Sequence, residues 1–158
     1  YPMKSEFIAQ IQSTTSIQAS IVNATGFSAT NPGLTPTNTV LVATAHSTEE
    51  SVIRSLSIAS DDTSVRVIQF WKSKDGGTTK YLIGMVSVPA LAGYATLINV
   101  DVLRTATITG TELDENLQPI IRLENNGVAE QLYACVITAA VTASKTIFIT
   151  GSQGNYIA

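Results

Sequence analysis

Beyond residue 38 the chain alternates between short apolar runs and polar punctuation. In "SVIRSLSIA" (51–59), Val52, Arg54, Leu56 and Ile58 fall on one face and Ile53, Ser55, Ser57 and Ala59 on the other. That is the two-residue period of a strand. Similar runs are "TVLVATA" (39–45), "SVRVIQFWK" (64–72), "TKYLIGMVSV" (79–88), "TLINVDVL" (96–103), "QPIIRL" (118–123), "EQLYACVITAAV" (130–141) and "KTIFITG" (145–151). Between them stand turn signals: "DDT" (61–63), "DGG" (75–77), "PALAG" (89–93), "TELDEN" (111–116) and "ENNG" (124–127). About eight strands at this spacing, with no long helical period between them, predict an all-β protein. The expected fold is an antiparallel β-sandwich of the jelly-roll type. Ile68 and Phe70 oppose Val67 and Trp71 along one strand, so both faces of that sheet are expected to be covered, or one to meet a neighbouring chain.

Residues 1–38 differ. Ser, Thr, Asn and Gln are dense there, and "NPGLTP" breaks regular structure. The division predicted is an extended N-terminal arm over 1–38 and a sandwich body over 39–158. Ile17, Ala19 and Ile21 alternate, however, so a first strand and loop of the same body is the competing reading.

Composition narrows the function classes. Charged residues make up only 13% of the 158 residues, 9 Lys+Arg against 12 Asp+Glu. No basic stripe is available to neutralise phosphates, so direct nucleic-acid binding is not expected. A surface of hydroxyl, amide and small apolar groups suits contact with a partner. No apolar run approaches the roughly 20 residues of a membrane helix. "YPMKSEF" lacks the layout of a secretion signal.

No constellation points to catalysis, metal or cofactor. His46 is the single histidine and Cys135 the single cysteine. No nucleophile-elbow pattern surrounds any serine, and neither a histidine cluster nor a cysteine-rich zinc site can form within the chain. Cys135, inside a strand with no basic neighbour, reads as an inert thiol. Glu112, Asp114, Glu115 and Glu124 do not have EF-hand spacing and read as a solvated loop. "KDGGTTK" (74–80) resembles a phosphate loop superficially. It lacks the Gly-x-x-x-x-Gly-Lys spacing and a following helix, so a hairpin turn is expected, with Gly76 and Gly77 at positive φ. Trp71, Tyr81, Tyr94 and Tyr133 could stack sugars, but such residues more often fill a core or a protein interface.

From about residue 39 onward the order of features resembles the jelly-roll decoration, or cement, proteins of tailed-bacteriophage heads. The resemblance is carried by "IRSLSIASDDTSVRVIQFW" (53–71), "DGGTTKYLIGMVSVPALAG" (75–93), "NVDVL" (99–103), "QLYACV" (131–136) and "GSQGNY" (151–156). It implies a non-enzymatic virion component, made in the host cytoplasm and located on the capsid surface. It also implies the major capsid protein as partner and self-association as a homotrimer. An arm would suit such clamping by adding a strand to a neighbour's sheet. The interface residues expected on this reading are Phe7, Ile8, Ile11, Ile17, Ile21, Trp71, Tyr94 and Tyr156. The alternatives are a tail or fibre component, or a carbohydrate-binding β-sandwich module.

Overall fold

The computed structural model describes residues 11–23, 25–28, 36–105 and 107–156; for Ile11 and Gln12 it describes the backbone alone. Among the described residues ten strands run in order: β1 (Ile11–Val22), β2 (Val40–Thr44), β3 (Glu50–Ser60), β4 (Arg66–Ser73), β5 (Tyr81–Val88), β6 (Val100–Asp101), β7 (Glu112–Leu113), β8 (Pro119–Leu123), β9 (Gln131–Ile137) and β10 (Thr146–Tyr156). Their pairing is nested. β4 pairs with β5, β3 with β8, β2 with β9 and β1 with β10, all antiparallel. The chain is therefore one long hairpin with its tip at the β4–β5 turn. Rolling it up adds the β10–β3 and β9–β4 pairings. Two sheets result, β1-β10-β3-β8-β7 with β6 also on β3, and β2-β9-β4-β5. This is the jelly-roll arrangement expected from the strand spacing.

The core lies between the sheets. Ile53, Leu56, Ile121, Leu123, Ile147 and Ile149 from the larger sheet meet Ile68, Phe70, Val86, Leu132 and Val136 from the smaller one. A smaller cluster of Trp71, Cys135 and Ile137, with Val67 and Tyr133 against it, covers the other face of the smaller sheet. Both faces of β4 are thus buried, as its two-sided apolar pattern predicts.

The expected arm needs correction over its described part. Ile11–Val22 is an edge strand of the larger sheet, in register with β10 from Ser13↔Asn155 to Val22↔Thr146. Ile17 and Ile21 are buried while Ser16, Gln18 and Ser20 face solvent. A sparse apolar pattern is what a strand with one wet face displays. A buried polar network fastens this strand. Asn155 Nδ2 donates to Ser13 Oγ and Thr15 Oγ1 at 3.1 Å each, and Asn155 Oδ1 accepts from Ser51 Oγ and Gln153 Nε2 at 3.0 Å each. Two other expectations shift. The run 96–103 shrinks to β6 and a 3-10 turn at Val102–Arg104. "GSQGNY", which looked like a glycine-rich tail, completes β10.

Gly151 explains one glycine in that strand. A Cβ there would overlap the carbonyl oxygen of Ser55 on the paired β3. Gly151→Ala is expected to cost about 1–3 kcal/mol, the range for forcing extra volume into a packed site. Urea denaturation checks it, because an unchanged midpoint would show that the β3–β10 spacing is not tight.

Candidate functional site

β3 carries a bulge where its pairing with β10 passes from Ser55↔Ser152 to Ile53↔Gln153, skipping Arg54. The bulge puts the two halves of β3 out of phase. Ile53, Leu56 and Ile58 face the core, while Val52 joins Ile120 and Tyr156 on the outer face. A single alternating pattern through Val52, Arg54 and Leu56 is therefore not what the strand adopts. Bulges re-aim side chains, and this one directs Arg54 outward. Its Nε donates to Tyr156 Oη at 2.6 Å, its Nη1 to Asp114 Oδ2 at 2.8 Å, and its guanidinium carbon lies 5.4 Å from the Tyr156 ring centre.

These groups line an open concavity of about 390 Å³ on the outer face of the larger sheet. Its floor is Val52, Ile120 and the Tyr156 ring, and Glu50, Glu115 and Arg122 stand around it. Arg122 pairs with Glu50 and, at 2.9 Å, with Glu112. The Asp114 carboxylate is held below its usual range by the backbone N–H groups of Gln118 and Asn116 and by Arg54. A carboxyl so placed stays ionised and cannot act as the protonated acid that glycoside hydrolysis needs. Both guanidiniums already have carboxylate partners. The concavity thus has the character of a docking surface for a neutral or basic group, and its lining holds no Ser, Thr, Cys, Lys or His. Glu124 lies elsewhere, in the β8–β9 connection beside Asn126. No group of three potential metal-ligating side chains exists among the described residues.

The other chemically suggestive residues have structural roles. His46 Nδ1 accepts from the N–H groups of Thr48 at 3.2 Å and Glu49 at 3.1 Å, so it organises the β2–β3 loop. Cys135 is fully buried and burial raises its thiol pKa, leaving it unreactive. At the β4–β5 tip, Asp75 Oδ1 accepts from Thr79 N–H at 2.8 Å, and Ser73 Oγ accepts from Gly77 N–H at 2.9 Å. Gly76 and Gly77 have φ of 74° and 93°. Lys80 Nζ donates to the Gly77 carbonyl at 2.6 Å and sits 4.7 Å from the Tyr133 ring centre. The turn spends Lys80 on itself and joins β4 to β5 as a hairpin.

A second feature escaped the sequence pattern. Residues 91–98 form a compact loop in which the Leu91 carbonyl accepts from the N–H groups of Tyr94, Ala95 and Thr96, while Gly93 N–H donates to the Thr96 carbonyl. This ordered loop displays Tyr94 at 68% exposure and a fully exposed Leu97, with Ile98 half out beside them. "TLINVDVL" gave a strand reading over 96–103, which does not anticipate this loop.

The eight expected interface residues scatter. Phe7, Ile8 and the side chain of Ile11 lie outside the described residues. Ile17 and Ile21 are in the main core, Trp71 is only 3% exposed, and Tyr156 floors the concavity with little of its surface open. Tyr94 is the one that is broadly exposed. A buried Trp71 offers no face on which a sugar could stack.

No protein-family model matches the chain, and no curated protein matches it. Among solved structures, the chain is similar to that of the infectious bursal disease virus Gt strain, at 15% identity and a TM-score of 0.34, over 92% of this chain and 33% of that one. It is also similar to the infectious bursal disease virus VP2 subviral particle, at 13% identity and a TM-score of 0.32, over 93% of this chain and 33% of that one. The chain spans about a third of the length of each.

Proposed function

We propose that the chain is a non-enzymatic structural protein of a virus particle, a capsid decoration or cement protein that binds the lattice of a major capsid protein. The observation that carries this reading is the 91–98 loop. Its backbone is tied down by its own hydrogen bonds, yet it presents Tyr94, Leu97 and Ile98 to solvent. A pre-ordered loop loses little entropy on docking, and clustered exposed apolar side chains gain by it. The chain's own jelly roll and its low charge agree with a role built on contact. Repetition of the site over a lattice would convert a modest single contact into high occupancy.

The test is co-sedimentation of the purified protein with particles assembled from the major capsid protein of the same virus. Wild type is expected to saturate the particles. Leu97→Asp, at a position fully exposed among the described residues, is expected to weaken binding at least tenfold with unchanged thermal stability. No binding by wild type would overturn the proposal, and undiminished binding by the variant would remove the loop from it. Electron microscopy of labelled virions separates a head location from a tail or fibre one.

A further inference from the structure

The edges of the two sheets are not treated alike. On the smaller sheet, β5 is covered by residues 107–109: Ile108 bridges Gly84, and Thr109 N–H donates to the Ile83 carbonyl at 2.7 Å. The β2 edge is only five residues long. At one side of the larger sheet, β8 is followed by the two-residue β7, which carries Glu112. β1 is different. It is twelve residues long and, among the described residues, pairs on one side only, with β10. "IQSTTSIQASIV" contains no charge and no proline, and the one irregularity in its pairing with β10 lies at its start, between Ile11 and Ser13. Charges, prolines and bulges within the strand are devices by which proteins keep an edge from pairing.

We propose that β1 is a self-association edge: a second copy of this chain adds its own β1 antiparallel across a two-fold axis, joining the two larger sheets into one. The occupant is argued from charge and pattern. A two-fold contact sets a strand against itself, so any charge near the axis would meet its own copy; β1 has none. Residues opposite one another must share a face. Centring the axis on Ile17 keeps the buried positions Ile17 and Ile21 on the core side, where their counterparts lie. On the wet face it sets Ser16 against Gln18, and Thr14 against Ser20. Such neutral polar pairs support antiparallel pairing, and a ladder of about ten backbone hydrogen bonds results. The prediction is a two-fold dimer, in contrast to the trimer that the phage-head resemblance implies, and it does not depend on capsid binding.

Sedimentation velocity of the full chain over a concentration series tests it. Wild type is expected to form a dimer as concentration rises. Ser16→Lys with Gln18→Lys places like charges opposite each other and is expected to weaken the dimer at least tenfold. Ser16→Lys with Gln18→Glu places opposite charges there and is expected to restore it. Both positions are exposed, and circular dichroism checks that the variants fold. Should the double-lysine variant fail to fold, hydrogen exchange of wild-type amides 13–21 replaces it, with protection expected to rise with concentration. A wild type that stays monomeric, forms a trimer, or dimerises equally with both charge patterns overturns the proposal, as does exchange that is independent of concentration.

Discussion

Phe70→Ala is expected to destabilise the protein by about 3–5 kcal/mol, the usual range for truncating a buried phenylalanine. Phe70 is fully buried at the centre of the smaller sheet, and its two cross-strand partners are Gly84 on β5 and Ala134 on β9. The ring supplies volume that neither neighbour can. Nor can Gly84 be enlarged to compensate. Its φ is 146°, and a Cβ there would meet the Thr107 carbonyl oxygen and Ile108. The cavity left by alanine would therefore collapse little, which favours the upper part of the range. Typical domains have about 5–15 kcal/mol in total, so the variant should unfold at a much lower urea concentration. A loss below about 1.5 kcal/mol would show that the sheets close over the gap.

Asp62→Ala is expected to have a comparable effect, about 3–5 kcal/mol at neutral pH, because it strands a paired arginine in a mostly buried position. Asp62 is completely buried in the β3–β4 turn. Its Oδ2 accepts from Arg66 Nε at 2.8 Å and Thr142 N–H at 2.9 Å, and its Oδ1 accepts from Ser64 N–H at 3.1 Å and Thr142 Oγ1 at 2.9 Å. One carboxylate thus ties the β3–β4 turn to the β9–β10 connection. Asp62→Asn retains the shape but replaces an acceptor oxygen with a donor facing other donors, so it should rescue only part of the loss.

The same site predicts acid sensitivity. Burial alone would raise the Asp62 pKa, but the hydrogen bonds from Arg66, Thr142 and Ser64 outweigh it and hold the group well below the ordinary carboxylate range. A folded-state pKa below the unfolded value means that the stabilisation is complete above about pH 4. As pH falls below that value toward the folded pKa, the unfolded state takes up the proton first and the stabilisation is lost, at about 1.4 kcal/mol per pH unit. Wild type and Asp62→Ala should therefore converge in stability between neutral pH and the acid side of pH 4. A difference independent of pH would assign the effect to packing.

Much of the fold was legible because strands with one or two buried faces write their period into the chain. β2, β3, β4, β5, β8, β9 and β10 each correspond to an apolar run, and the β4–β5 tip was legible from "DGG" because two positive-φ positions favour glycine. β1 was harder, since a strand burying Ile17 and Ile21 beside a hydroxyl-rich face has the local composition of an arm. The 96–103 run misled for the opposite reason: its apolar residues divide between the core, at Val100, Val102 and Leu103, and a solvent-facing loop tip at Leu97.

The candidate surfaces were legible in part. Tyr94 stood out as a large aromatic in a broken segment. Arg54 did not, since its outward aim depends on a bulge created by pairing with β10, about a hundred residues away in sequence. Alternation and turn residues are local properties, so most of the strands and the all-β class could be read along the chain. Which strands become edges, which hydroxyl-rich strand docks on the body, where the register slips and which apolar side chains remain outside depend on long-range pairing. Those contacts form only when the hairpin rolls up, and no short window of sequence contains both partners.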